Sequence, residues 1–166
     1  MSSTAQFMQS ANITVGFVPV DMQTGANNGD WISMRDYNRL VFVLFKAAGT
    51  AGDDPIFKLQ QATSNAGAGV KDLLFDVYYT KIGTLTSLAT FTRNTQTAAT
   101  SCQPTSAASQ AIICVEVTAA NLDVTNNFDH VQLSVADTGS NAQLGCSFVI
   151  CLEPRNQGLT LPSPIA

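Results

Sequence analysis

Charge is what this sequence has least of. Only 12% of its 166 residues are Asp, Glu, Lys or Arg, about half of the one quarter usual for a soluble globular domain. The eight basic residues, Arg35, Arg39, Lys46, Lys58, Lys71, Lys81, Arg93 and Arg155, are scattered, and the formal charge is −4. They form no run of the kind that neutralises a phosphate backbone, so the sequence predicts no nucleic-acid partner. Long apolar runs are missing too. The longest, Leu40 to Phe45, is closed by Lys46 and falls far short of the ~20 residues that span a bilayer, which predicts no membrane partner. The opening Met1-Ser-Ser-Thr-Ala-Gln6 has neither the basic nor the apolar region of a secretory signal. Synthesis in a cytosol is therefore the expectation.

The residues of catalysis and metal binding are equally sparse. His130 is the only histidine, and Cys102, Cys114, Cys146 and Cys151 have no C-x-x-C spacing, so no metal site is predicted. Cys114, Cys146 and Cys151 lie in apolar runs, where a free thiol behaves as a small hydrophobe; Cys102, in a polar stretch, is expected to be the reactive one. Asp129 precedes His130, but neighbours on a strand point to opposite faces, which predicts a strand-end histidine near solvent. Asp53-Asp54 follows Gly52. Paired carboxylates suit Ca²⁺ or glycoside hydrolysis only with further ligands or a defined separation, and capping a turn is the simpler role. There is no Gly-x-Ser-x-Gly elbow, and Asn65 to Lys71 lacks the Gly-Lys-Ser/Thr order of a phosphate loop. The sequence thus predicts no catalytic residue, no cofactor and no enzyme.

What is present is apolar residues, at 45%, with a polar remainder rich in Ser, Thr, Asn, Gln and Gly. Such neutral groups hydrogen-bond across an interface without the several kcal/mol cost of desolvating an ion. Alternation with period two recurs. Val131, Leu133 and Val135 oppose Gln132 and Ser134; Ile113, Val115 and Val117 oppose Cys114, Glu116 and Thr118; Cys146, Phe148, Ile150 and Leu152 oppose Ser147, Val149 and Cys151. Further strands are expected at 13–20, 40–46, 56–61, 73–80 and 87–93, with Gly- and Asn-rich turns between them. No helical period lasts three turns; one short turn is expected at Thr118 to Leu122, with Thr118 as its cap. About eight strands with at most one or two helical turns predict an all-β, antiparallel, jelly-roll-like sandwich.

The expected organisation is an N-terminal arm over 1–12, a single sandwich domain over 13–153 and an extended tail over 154–166, whose prolines keep it from packing as a helix. Residues 94–110 read as a long loop of the kind that is functional, disordered or ordered only by a partner, and the arm, this loop and the tail are expected to make the contacts with other subunits. Phe7, Met8, Cys102, Leu159, Leu161 and Ile165 are the expected partner-binding residues. Trp31, Tyr78 and Tyr79 are the candidates for stacking on a glycan, against the commoner role of core or interface aromatics.

The stretches Tyr37-Asn-Arg-Leu-Val-Phe-Val-Leu-Phe-Lys-Ala-Ala-Gly-Thr-Ala-Gly-Asp-Asp-Pro55, Asn121-Leu-Asp-Val-Thr-Asn-Asn-Phe-Asp129, Val135-Ala-Asp-Thr-Gly-Ser-Asn-Ala-Gln-Leu144 and Glu153-Pro-Arg155 resemble structural proteins of tailed bacteriophages. Within that group they are most similar to jelly-roll capsid decoration, or cement, proteins. The resemblance implies a homotrimer on the virion exterior that binds the major capsid protein across capsomer seams, made in the cytoplasm of the bacterial host. It carries over no individual docking residue. The alternative is a tail or head-spike module that binds a host receptor or glycan.

Overall fold

The computed structural model describes residues 6–84, 86, 90–137, 139–156 and 160–165. Twelve strands run in chain order: β1 (Ala11–Asp21), β2 (Asn27–Asn28), β3 (Ile32–Ser33), β4 (Tyr37–Lys46), β5 (Phe57–Ala62), β6 (Lys71–Asp72), β7 (Phe75–Gly83), β8 (Thr92–Ala99), β9 (Ser101–Cys102), β10 (Gln110–Thr118), β11 (His130–Val135) and β12 (Leu144–Pro154). The number exceeds the expected eight because β2, β3, β6 and β9 are two-residue bridges that hydrophobic alternation cannot reveal. Helical segments also exceed expectation among the described residues: an α-helical turn at Phe7–Ser10 and 3₁₀ turns at Met22–Thr24, Ala119–Asn121 and Val124–Asn126. The turn at 119–121 is the one foreseen after Thr118, whose backbone N–H and hydroxyl both donate to Asn121 Oδ1 at 2.8 Å.

The strands build an antiparallel sandwich. One sheet has the order β1-β12-β4-β10-β7-β8; the other runs β2-β11-β5-β6, with β3 added to β11 and β9 to β5. The quartet β1-β12-β4-β10 facing β2-β11-β5-β9 is the strand order of a jelly roll, two Greek keys laid face to face. The β7–β8 hairpin extends the first sheet beyond that frame.

The core lies between the two inner faces. Leu40, Phe42 and Leu44 of β4 and Ile113, Val115 and Val117 of β10 meet Phe57 and Leu59 of β5 and Val131, Leu133 and Val135 of β11. The inward face of β12 is Ser147, Val149 and Cys151, so its bulkier set, Cys146, Phe148, Ile150 and Leu152, points outward. Gly16 marks a register shift in β1. A Cβ there would lie 2.0 Å from Ser147 Oγ, the hydroxyl that accepts the Phe17 N–H at 3.0 Å.

Residues 94–110 are not the loop the sequence suggests. They continue β8 to Ala99 and cross to β9 on the opposite sheet. The exposed edge strand carries Thr, Arg, Asn, Gln and Ala, a composition without the apolar contrast that marks a half-buried strand. The predicted strand at 87–93 is displaced toward the C-terminus, and its residues 87–89 lie outside the described residues. The C-terminal residues return to the domain. Tyr37 OH donates to the Pro162 carbonyl at 2.7 Å, Ser33 N–H donates to the Pro164 carbonyl at 2.8 Å, and Leu161 packs on the core.

Candidate functional site

The two outer faces of the sandwich differ in chemistry. On the smaller sheet, outward side chains satisfy one another. Lys58 Nζ lies 2.8 Å from Asp72 Oδ1, Gln60 Nε2 donates to the same carboxylate, Gln132 Nε2 donates to the Gly29 carbonyl and Ser134 Oγ donates to Asn28 Oδ1. This is a hydrated, internally paired surface.

On the sheet that begins with β1 and β12 the register sets apolar side chains in rows. Ile13 opposes Ile150, which opposes Val41. Beside them run Val15, Phe148, Val43, Cys114 and Tyr79, then Cys146, Phe45 and Ile112. Ile13 and Val15 are each 47% exposed and Phe45 42%, whereas Val43, crowded at the centre, is 5% exposed. Leu144 and Val18 add exposed apolar groups at the margin. Arg39 flanks the rows on one side, paired with Glu116 at 3.1 Å and with Glu153 at 2.7 Å, and Lys81 and Arg93 stand beside Ile112 and Tyr79 where the rows meet β7 and β8. A partner covering the β1, β12 and β4 part of the rows would therefore desolvate little unpaired charge.

The residues singled out from the sequence do not gather at one place. Phe7 and Met8 are more than half exposed on the helical turn that leads into β1. Ile165 is exposed, Leu161 is taken up by the chain's own core, and Leu159 lies outside the described residues. Cys102 requires a correction. It is buried, 4% exposed, and burial pushes its thiol up to about 12, because the segment thought to be a polar loop is a bridge packed against β5. Cys151 is buried and likewise raised to about 12, Cys114 to about 11, and Cys146 is raised by the same cause.

The aromatics also separate. Trp31 lies under the 63–69 turn, where a Cβ on Gly67, already at φ 72°, would come 2.6 Å from the indole nitrogen. Tyr78 packs against the core, and Tyr79 points to the opposite face of the same strand, beside Cys114 and Arg93. They make no common platform.

His130 differs from expectation as well. It is 2% exposed, and its Nδ1 lies 2.6 Å from Asp129 Oδ1. The alternation argument fails because β11 begins at His130, leaving the Asp129 backbone free to turn its carboxylate back. Asp129 also accepts from Arg35 Nε at 2.6 Å, a contact that raises the guanidinium pKa through hydrogen bonding and charge. Ser33 stands opposite His130 in the β3–β11 pair, yet Nε2 of His130 has no hydrogen-bond partner among the described residues. The arrangement lacks the nucleophile-to-base contact that a serine triad requires.

The neighbouring carboxylates Asp53 and Asp54 diverge. Asp54 Oδ1 accepts the Ser106 and Ala107 amides, while Asp53 Oδ2 accepts the backbone and side-chain N–H groups of Asn141. Each ties down a turn. Among the described residues no group of three or more His, Cys, Asp or Glu side chains is placed to hold a metal ion.

The apolar outer face was not legible as a surface in the sequence, because its rows depend on register across five strands. No protein-family model matches the chain, and no curated protein matches it.

Proposed function

We propose that the protein is a non-enzymatic structural component of a tailed-bacteriophage virion, a decoration protein on the capsid exterior. It docks the apolar outer face of its β1-β12-β4-β10-β7-β8 sheet on the major capsid protein across capsomer seams. The contrast between the two outer faces carries this reading. One is polar and self-satisfied; the other exposes Ile13, Val15 and Phe45 with the half-buried Phe148 and Ile150 between them in register, a contiguous apolar surface of the kind that marks an interaction site. The low charge of the whole chain and the sequence resemblance support the same role, with further copies of the chain, three in the proteins it resembles, sharing each docking position.

At roughly 25 cal/mol per Å² of apolar area, docking is favourable even after association costs remove much of the gain. The test is addition of purified protein to particles that lack it, with copies per particle counted by quantitative mass spectrometry. Wild type should bind in hundreds of copies per shell, while Phe45→Lys/Ile150→Lys, whose changes point away from the core, should fold normally and fail to bind. Full occupancy by that folded variant, or a handful of wild-type copies confined to a vertex or tail, would overturn the proposal.

A further inference from the structure

We propose that the β7–β8 extension carries a saccharide-binding site, which meets the apolar rows at Tyr79 and does not rest on the capsid reading. The hairpin adds two strands to the jelly-roll frame. Where it meets the end of β10 it forms an open cleft of about 460 Å³, within the range of roughly 300–1,000 Å³ that holds small ligands. Asp76, Tyr79, Arg93, Glu116 and Asn121 line it around Val77.

Their hydrogen-bonding capacity is largely unspent. Asp76 and Arg93 enter no ion pair among the described residues, and Glu116 uses one oxygen on Arg39. Asn121 engages its Oδ1 with Thr118, which leaves the two hydrogens of its amide nitrogen to donate. Two carboxylates that only accept, on one lining with a guanidinium and an amide that donate, match the hydroxyls of a sugar, which do both. The Tyr79 ring, partly exposed beside Arg93, supplies the flat apolar surface on which the C–H face of a pyranose rests.

Charge narrows the class further. Glu116 shares Arg39 with Glu153, and Asp76 and Arg93 carry opposite charges, so the surroundings hold a small negative excess and a phosphate finds no net attraction. The polar lining disfavours a wholly apolar ligand. The chemistry that fits is a neutral oligosaccharide of hexoses or N-acetylhexosamines.

The experiment uses the free, full-length protein and amide-resolved NMR. Neutral trisaccharides of glucose, galactose and N-acetylglucosamine are titrated one at a time, with inorganic phosphate and spermidine as charged probes. At least one sugar should give saturable shifts centred on 74–79, 93–98 and 116–121, and Tyr79→Ala and Arg93→Gln should each weaken it about tenfold or more. Arg93→Gln lies on an exposed edge strand and keeps the test valid if Tyr79→Ala fails to fold. No saturable shift with any sugar up to about 20 mM, shifts centred elsewhere, a response to phosphate or spermidine alone, or undiminished binding by the folded variants would each overturn the proposal. Because no particle is involved, failure to bind sugar leaves the docking proposal standing, and the reverse holds.

Discussion

Lys46 and Asp54 hold the same turn from its two chemical sides. The buried Lys46 ammonium donates to the carbonyls of Ser106, Ala107 and Ser109 at 2.8, 3.2 and 2.7 Å, while Asp54 Oδ1 accepts the amides of Ser106 and Ala107 at 2.6 and 2.7 Å. Burial lowers the Lys46 pKa and the Asp54 charge opposes that shift. Gly49 N–H and Gln143 Nε2 also donate to the Ala107 carbonyl, at 2.8 and 3.5 Å. A chain poor in charge has thus placed one of its eight cations inside the protein, where it organises the connection between β9 and β10.

Lys46→Met keeps the aliphatic stem and removes three donors from buried carbonyls. Some of these will recover water, so a loss of about 2–4 kcal/mol is expected from the groups left unpaired. Asp54→Asn, which retains an oxygen acceptor, should cost less than Asp54→Ala. Denaturant midpoints at constant slope measure the series. A loss below about 1 kcal/mol for Lys46→Met would show that the ammonium does not hold the turn.

The four free thiols should react in an order set by the sheet. Cys146 and Cys114 lie on the outer face, partly exposed, whereas Cys102 and Cys151 are buried with thiols near 12. Iodoacetamide at about pH 8.5 reacts through the thiolate, so native protein should label first at Cys146, then at Cys114, whose thiol is raised to about 11. Cys102 and Cys151 should label only after unfolding. Peptide mapping reads the order, and early modification of Cys102 would contradict its packed position beside β5.

These contrasts also show what could be read from the chain alone. β11 was legible because Val131, Leu133 and Val135 alternate with polar residues, so period and buried face agree. In β12 the period was legible and the face was not. The larger side chains, Phe148 and Ile150, point outward, while Ser147 faces inward and completes the Gly16 bulge with its hydroxyl. β8 was illegible because both its faces are open and its residues differ little in hydropathy. The cleft was out of reach for another reason. Asp76, Tyr79, Arg93, Glu116 and Asn121 come from β7, β8, β10 and the following turn, and only strand pairing makes them neighbours.

Acid should weaken the fold through three carboxylates. Asp53 is held below the usual range chiefly by the Asn141 side chain, Asp72 by Lys58, and Asp123 by Lys71 and then Asn126. Unfolded carboxylates protonate near pH 4, above the folded values, so between the two the unfolded chain binds more protons and stability rises with pH. The contribution is complete above the unfolded value and disappears as pH falls through the folded ones. All three sites are solvent-accessible, and the effect of each should be modest. Thermal midpoints from pH 6 to about pH 2 should fall below pH 4, less steeply in Asp53→Asn. A flat profile would contradict the assignment.

The C-terminal tail needs a test that separates folding from docking. Pro162 accepts from Tyr37 OH at 2.7 Å and from Asn12 Nδ2 at 3.2 Å, and Leu161 packs on the core, but the Ile165 side chain is exposed. Tyr37→Phe should cost about 1 kcal/mol, and Leu161→Ala about 1–2 kcal/mol because the site is only partly buried. Ile165→Ser should leave the unfolding midpoint unchanged within about 0.5 kcal/mol. Removing 160–166 combines these losses, so weaker particle binding by the truncated protein would report a damaged domain as readily as a lost contact. Ile165→Ser separates the two. Weaker particle binding at unchanged stability assigns Ile165 to the interface, and unchanged binding confines the tail to closing the end of its own core.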